Sequence, residues 1–242
     1  ARPVPAIPVL LTRPRAQAEA FALRLTARFG DRISPVVAPL MAPEFLSPPR
    51  PEGSFAAVAF TSAQAVEGAV RLRVPLPETA WCVGRATAAA ATAAGFRARS
   101  ADGDAQALVA AILADPPDGR ILYIRGVNTS ADIDSILNSH GILTLSLQVY
   151  LQKPLPLADE CTRLLQQDGP VILPLFSPRS ARLFLDAMPS QHRSTLRIAA
   201  ISTAVADSAR DIPHSHLCIA ARPEAEAMLD AVETLLAASP LP

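Results

Sequence analysis

The sequence has little of what is needed to hold a polyanion by bulk charge, to cross-link itself or to span a bilayer. One residue of 242, Lys153, is lysine, against 21 arginines, and the formal net charge is zero. Surfaces that hold nucleic acid or anionic membranes carry a net basic excess, so this balance argues against both partners. The cysteines Cys82, Cys161 and Cys218 lie far apart with no Cys-x-x-Cys. That is the pattern of a reduced, cytoplasmic chain rather than a disulfide framework. Residues 1–8 lack the apolar centre of a signal peptide, and no apolar run reaches the ~18 residues of a membrane span. There is no Gly-x-Gly-x-x-Gly and no P-loop. His214 and His216 are close in sequence, but no third ligand stands near them, so no metal is expected. Aromatic residues make up 5% of the chain, which leaves the core to Ala, Val, Leu and Ile.

What the chain does have is arginine, whose planar fork pairs with a carboxylate at two points where lysine cannot. A GC-rich genome would raise arginine, alanine and the 24 prolines together, so the count alone identifies no ligand. The placement is more informative. Phe60-Thr61-Ser62-Ala63-Gln64-Ala65-Val66 follows a short apolar run and opens a segment with Val66 and Val70 at helical spacing. Thr61 or Ser62 can cap that helix, and Thr61 with Gln64 fits a capping box. The same strand, turn and helix recur at Val9-Leu10-Leu11-Thr12-Arg13-Pro14, at Trp81-Cys82-Val83-Gly84-Arg85-Ala86-Thr87 and at Ile121-Leu122-Tyr123-Ile124-Arg125-Gly126. They recur again at Leu175-Phe176-Ser177-Pro178-Arg179 and Ile201-Ser202-Thr203. Helix starts point N–H groups and partial positive charge outward, and ligands of open α/β sheets gather at the carboxyl ends of strands. Thr12, Arg13, Thr61, Ser62, Arg85, Thr87, Arg125, Ser177, Arg179 and Ser202 are therefore the candidate binding residues for an anionic ligand.

Strand and helix alternate through most of the chain, which predicts parallel sheets covered by helices on both faces. Two extended, proline-bounded stretches interrupt the alternation, one near residues 35–43 and one near 150–156. If both cross between domains, residues 1–37 and 152–242 form one α/β domain and 42–148 an inserted second one. Residues 143–152 read as a long strand, with Leu143, Leu145, Leu147 and Val149 alternating with polar residues as if one face were exposed.

The turns above, taken in order with Val149-Tyr150 before the second crossing, resemble the uroporphyrinogen-III synthase family over essentially the whole chain. The resemblance implies two α/β domains joined by a two-stranded connection, with the active site in the cleft between them, and no metal or organic cofactor. It implies the substrate hydroxymethylbilane, a linear tetrapyrrole with eight carboxylates. This is closed to uroporphyrinogen III and water with inversion of ring D. It also assigns Tyr150 as the catalytic residue, assisting departure of the terminal hydroxyl. The pattern departs from the family at Gln64, where an arginine is common, and at Ala204 and Val205, where hydroxyls are expected. Backbone N–H groups would then carry more of the anion binding. A two-lobed, non-catalytic binding module for a small anion and an inactive paralogue of the synthase are the alternatives. Nothing in the sequence demands more than a monomer.

Overall fold

Strands that are apolar at every position, such as Ala57-Val58-Ala59-Phe60, have no face to give to water and belong inside a sheet covered on both sides. The computed structural model, which describes residues 4–129 and 131–239, contains two such sheets. The chain begins with β1 (Ile7–Leu11), α1 (Arg15–Phe29), β2 (Ile33–Val37) and β3 (Met41–Phe45). It continues through β4 (Ala57–Phe60), α2 (Ala63–Leu72), β5 (Thr79–Cys82), α3 (Arg85–Ala93), β6 (Arg97–Ser100) and α4 (Ala105–Ala114). Next come β7 (Ile121–Gly126), α5 (Ile133–Ser139), β8 (Thr144–Pro154), α6 (Asp159–Leu165), β9 (Pro170–Leu175) and α7 (Pro178–Ala187). The chain ends with β10 (Thr195–Ala200), α8 (Thr203–Ser208), β11 (His216–Ile219) and α9 (Ala225–Leu236). Two compact units result, one of residues 1–42 with 154–242 and one of residues 43–153.

The first unit holds a five-stranded sheet in the order β11-β10-β9-β1-β2, parallel throughout. Alternate residues of β1 go to opposite faces. Val9 and Leu11 meet Phe21, Leu25 and Phe29 of α1 and Met228 and Val232 of α9. Leu10 packs with Cys161 of α6, Phe184 of α7 and Val205 of α8. The proline-rich β2 lies at the sheet's edge, where a missing N–H is tolerated.

The second unit holds a six-stranded sheet in the order β3-β8-β7-β4-β5-β6. From β8 to β6 it is parallel. Leu155 N–H donates to Leu40 O and Leu46 N–H to Val149 O, so one chain number rises as the other falls and β3 runs antiparallel to β8. This sheet is therefore mixed rather than purely parallel. Val58, Phe60, Leu122 and Ile124 face α2 and α3, while Ala57, Ala59, Ile121 and Tyr123 face α4 and α5.

The alternation expected for β8 holds only from Leu147 to Val149. Leu143, just before the strand, and Leu145 are exposed, whereas Thr144, Leu147, Val149 and Tyr150 are buried. Thr144 is drawn inward by Asn138, which accepts its N–H at 2.8 Å and donates to its carbonyl at 2.9 Å.

Candidate functional site

The hydroxyl that starts α2 is Ser62. Its Oγ accepts the N–H of Ala65 at 3.1 Å, with extended backbone at the cap position. Thr61 is therefore not the cap, and the expected pairing of Thr61 with Gln64 gives way to one at Ser62. Freed from that role, Thr61 Oγ1 lies 3.3 Å from the hydroxyl of Tyr123. Ser62 Oγ lies 3.0 Å from the hydroxyl of Tyr150. Consecutive hydroxyls at the end of β4 are thus each held by a tyrosine. Tyr150 arrives with the residues facing α2 and α3, and Tyr123 with those facing α4 and α5.

An irregularity in β8 brings Tyr150 to that position. Arg125 of β7 pairs with Gln148, but the next residue, Gly126, pairs with Tyr150. Val149 is the extra residue of a bulge, and bulges re-aim side chains. Strict alternation would send Val149 and Tyr150 to opposite faces; here both are buried in the same cluster. Gly126 makes room for the ring. A Cβ there would stand 2.6 Å from Tyr150 Cζ and 3.0 Å from its hydroxyl oxygen. A glycine inside a strand marks such close approaches, and that was the available sequence signal for Gly126. Phe45 closes another side of the ring, 6.4 Å between centroids.

Thr61, Ser62, Gly126, Asn128, Thr129 and Tyr150 are among the residues lining a cleft of about 330 Å³. Asn128 and Thr129 were not singled out by sequence, since polar residues after a strand look like any turn. Burial pushes the Tyr150 phenol up from its ordinary value, and nearby Tyr123 adds to this, against a smaller lowering by the bond to Ser62. The group is a neutral hydrogen-bond donor throughout the neutral range.

The other candidates of this unit are spread out. Arg85 opens α3 with its side chain almost fully exposed, 3.5 Å from Asp102. The cap of α3 is Gly84, with no side-chain hydrogen bond, and Thr87 is buried within the first turn. Arg125 does not extend into open solvent. Its Nε donates to Ser146 Oγ at 3.2 Å and Nη1 to the carbonyl of Gly126 at 3.1 Å. Ser146 in turn donates to Asp134 at 2.7 Å. Burial pushes the Asp134 carboxyl up, but Ser146, backbone amides and Arg125 together hold it below its ordinary value.

In the first unit, five candidates gather at the carboxyl ends of β1, β9 and β10. Arg13 lies over the Phe176 ring, 4.0 Å from its centroid. Burial lowers its pKa, though an arginine stays charged. Thr12 is buried and its hydroxyl has no hydrogen-bond partner among the described residues, a condition that costs about 1–3 kcal/mol and calls for a reason. Ser177 caps α7 by accepting Ser180 N–H at 3.0 Å, Pro178 occupies the first turn and half-buried Arg179 follows it. Ser202 caps α8, accepting Val205 N–H at 3.3 Å. Among the described residues, no cluster of three His, Cys, Asp or Glu is placed to hold a metal ion. His214 and His216 engage Ile212 O and Ser215 Oγ separately.

No curated protein matches the sequence. The chain is similar in fold to a uroporphyrinogen-III synthetase crystal structure from Helicobacter pylori 26695, at 20% identity with a TM-score of 0.63. That match covers 95% of this chain and 99% of the other. A mutant uroporphyrinogen III synthase from the extremely thermophilic bacterium Thermus thermophilus aligns at 18% identity with a TM-score of 0.50, over 96% of this chain and 99% of that one. The family model described as uroporphyrinogen-III synthase HemD matches residues 24–230. The chain belongs to the uroporphyrinogen-III synthase family.

Proposed function

We propose that the cleft at Tyr150 is where this chain carries out the reaction of its family, the closure of hydroxymethylbilane to uroporphyrinogen III and water. The supporting observation is the buried, protonated Tyr150 phenol, held against Ser62 at the wall of the cleft. The bond between the terminal methylene and its hydroxyl breaks, the oxygen keeps the bonding pair and takes a proton from solvent to leave as water, and ring closure returns one proton as the attacked pyrrole is restored. When substrate binds, Tyr150 turns its proton from Ser62 Oγ to that oxygen and accepts the Ser62 proton in return, and the hydrogen bond it donates stabilises the charge the leaving oxygen gathers. Because burial disfavours the tyrosinate, Tyr150 acts by sharing its proton rather than by giving it up. Donor assistance is worth ~10²–10⁴-fold, and the low end suits a substrate that ionises readily.

The substrate also cyclises unaided to the wrong isomer, so the protein's larger task is to hold ring D where its substituted carbon is attacked. A cleft of about 330 Å³ is near the lower bound for ligand pockets and takes only part of a linear tetrapyrrole. The remaining carboxylates need other contacts. Thr61, Ser62, Arg85, Thr87 and Arg125 are proposed for the second unit, and Thr12, Arg13, Ser177, Arg179 and Ser202 for the first. The unpartnered hydroxyl of Thr12 beside Arg13 supports the latter group. We read the chain as a cytoplasmic monomer. Its three cysteines are free thiols, and no described helix is long and apolar enough to cross a membrane.

The test is to add the protein to freshly generated hydroxymethylbilane and separate the uroporphyrinogen isomers. Isomer III in large excess is the expected product. Isomer I at the level of the unaided reaction would refute the proposal.

A further inference from the structure

We propose that Tyr123 is a positioning residue for this reaction, acting through Thr61. By donating its phenol proton to Thr61 Oγ1, it turns the proton of Thr61 into the cleft as a donor to an anionic group of the substrate. The inference rests on the reading of this cleft as a substrate site.

Tyr123 is fully buried, its ring packed among Ala59, Trp81, Leu108, Ile112 and Ile133. Phenylalanine would fill that space equally well, and a buried phenol oxygen requires a partner. Among the described residues its partner is Thr61. The two oxygens are not equivalent donors. A phenol is a far stronger acid than an aliphatic alcohol and hence the stronger donor, so the phenol donates and the alcohol accepts. A hydroxyl carries a single proton. Once Thr61 Oγ1 accepts from Tyr123, its own proton has to point elsewhere. The helix start does not compete for Thr61, because Ser62 caps α2. Thr61 is half-buried and lines the cleft, which is where that proton can find an acceptor.

The distance supports the same role. At 3.3 Å the bond is long for two hydroxyls and adds little to the stability of the free protein. Hydrogen bonds at active sites are often loose until the substrate arrives. Chains of hydrogen bonds polarise one another, so donation from Thr61 to a carboxylate strengthens the bond from Tyr123, and the reverse holds equally. Tyr123 thereby stiffens a contact that it does not make itself.

The experiment is steady-state kinetics on hydroxymethylbilane for Tyr123→Phe, Thr61→Val, Thr61→Ser and the two double variants, each with a melting curve. Tyr123→Phe loses one oxygen from a ring that keeps its packing. It is expected to raise KM about three- to tenfold, the effect of one hydrogen bond, with the change falling on KM rather than on kcat. In the Thr61→Val background the same substitution should change nothing, and in the Thr61→Ser background it should act as in the parent. An equal rise in KM with and without the Thr61 hydroxyl would make Tyr123 merely structural and overturn the inference. So would an unchanged KM in Thr61→Val. Parent protein that leaves the product as isomer I would instead refute the function on which the inference rests.

Discussion

Ser62 carries two roles on one oxygen: it caps α2 and it holds the phenol of Tyr150. A second helix separates the two. Asp104 caps α4 in the same manner, accepting Ala107 N–H at 2.9 Å, and among the described residues has no hydrogen bond to Tyr150. Ser62→Ala and Asp104→Ala should each cost about 1 kcal/mol of stability, read from denaturant midpoints. Only Ser62→Ala should slow turnover, and equal kinetic effects would reduce Ser62 to a cap. The hydroxyl turns were legible in the sequence because capping is local chemistry, decided within three or four residues. Which of two adjacent hydroxyls caps was not, since Thr61 and Ser62 differ only in where their oxygens go. The bond between Thr61 and Tyr123 spans 62 positions, and Tyr123 stands in an apolar run that any buried strand would show. Arg125 looked like its neighbours at other strand ends, but Ser146, which takes up its guanidinium, lies on a different strand.

At the scale of elements, the bulge in β8 is what the alternating pattern concealed. Periodicity assumes one residue per position, and an extra residue at Val149 shifts everything after it by one. Tyr150 read as the polar end of an exposed face and is instead buried beside Val149. The bulge depends on Gly126, and a methyl group there overlaps the Tyr150 ring. Gly126→Ala should cost about 1–3 kcal/mol by overpacking, or else move the ring and slow turnover while stability holds. Comparing melting curves and kcat for this variant distinguishes the two. A variant matching the parent in both would show that the ring is not held by this contact.

At the scale of the molecule, the fold class was legible because four of its signals agree: apolar strands, helical spacing between them, capped turns and prolines at an edge. The antiparallel β3 was not, because strand direction depends on the pairing partner and a five-residue segment with a proline names none. One consequence belongs to the whole protein. Burial pushes the thiols of Cys82 and Cys161 up to about 11 and about 12, and the Tyr150 phenol upward as well. Each proton is held more tightly folded than unfolded, so the stabilisation is complete below the unfolded pKa values and is lost as pH rises through the folded ones. Stability should be level through neutral pH and decline from about pH 9. Cys161→Ala should flatten that decline, as followed by denaturant midpoints across pH; a stability rising above about pH 9 would contradict the burial of these groups. The ring closure itself is best probed at Tyr150. Tyr150→Phe keeps the ring against Gly126 and removes only the hydroxyl. With freshly generated hydroxymethylbilane and a melting curve matching the parent, this variant should form uroporphyrinogen III about 100-fold more slowly, with isomer III still the enzymatic product. Turnover equal to that of the parent would leave Tyr150 a packing residue and place the chemistry elsewhere.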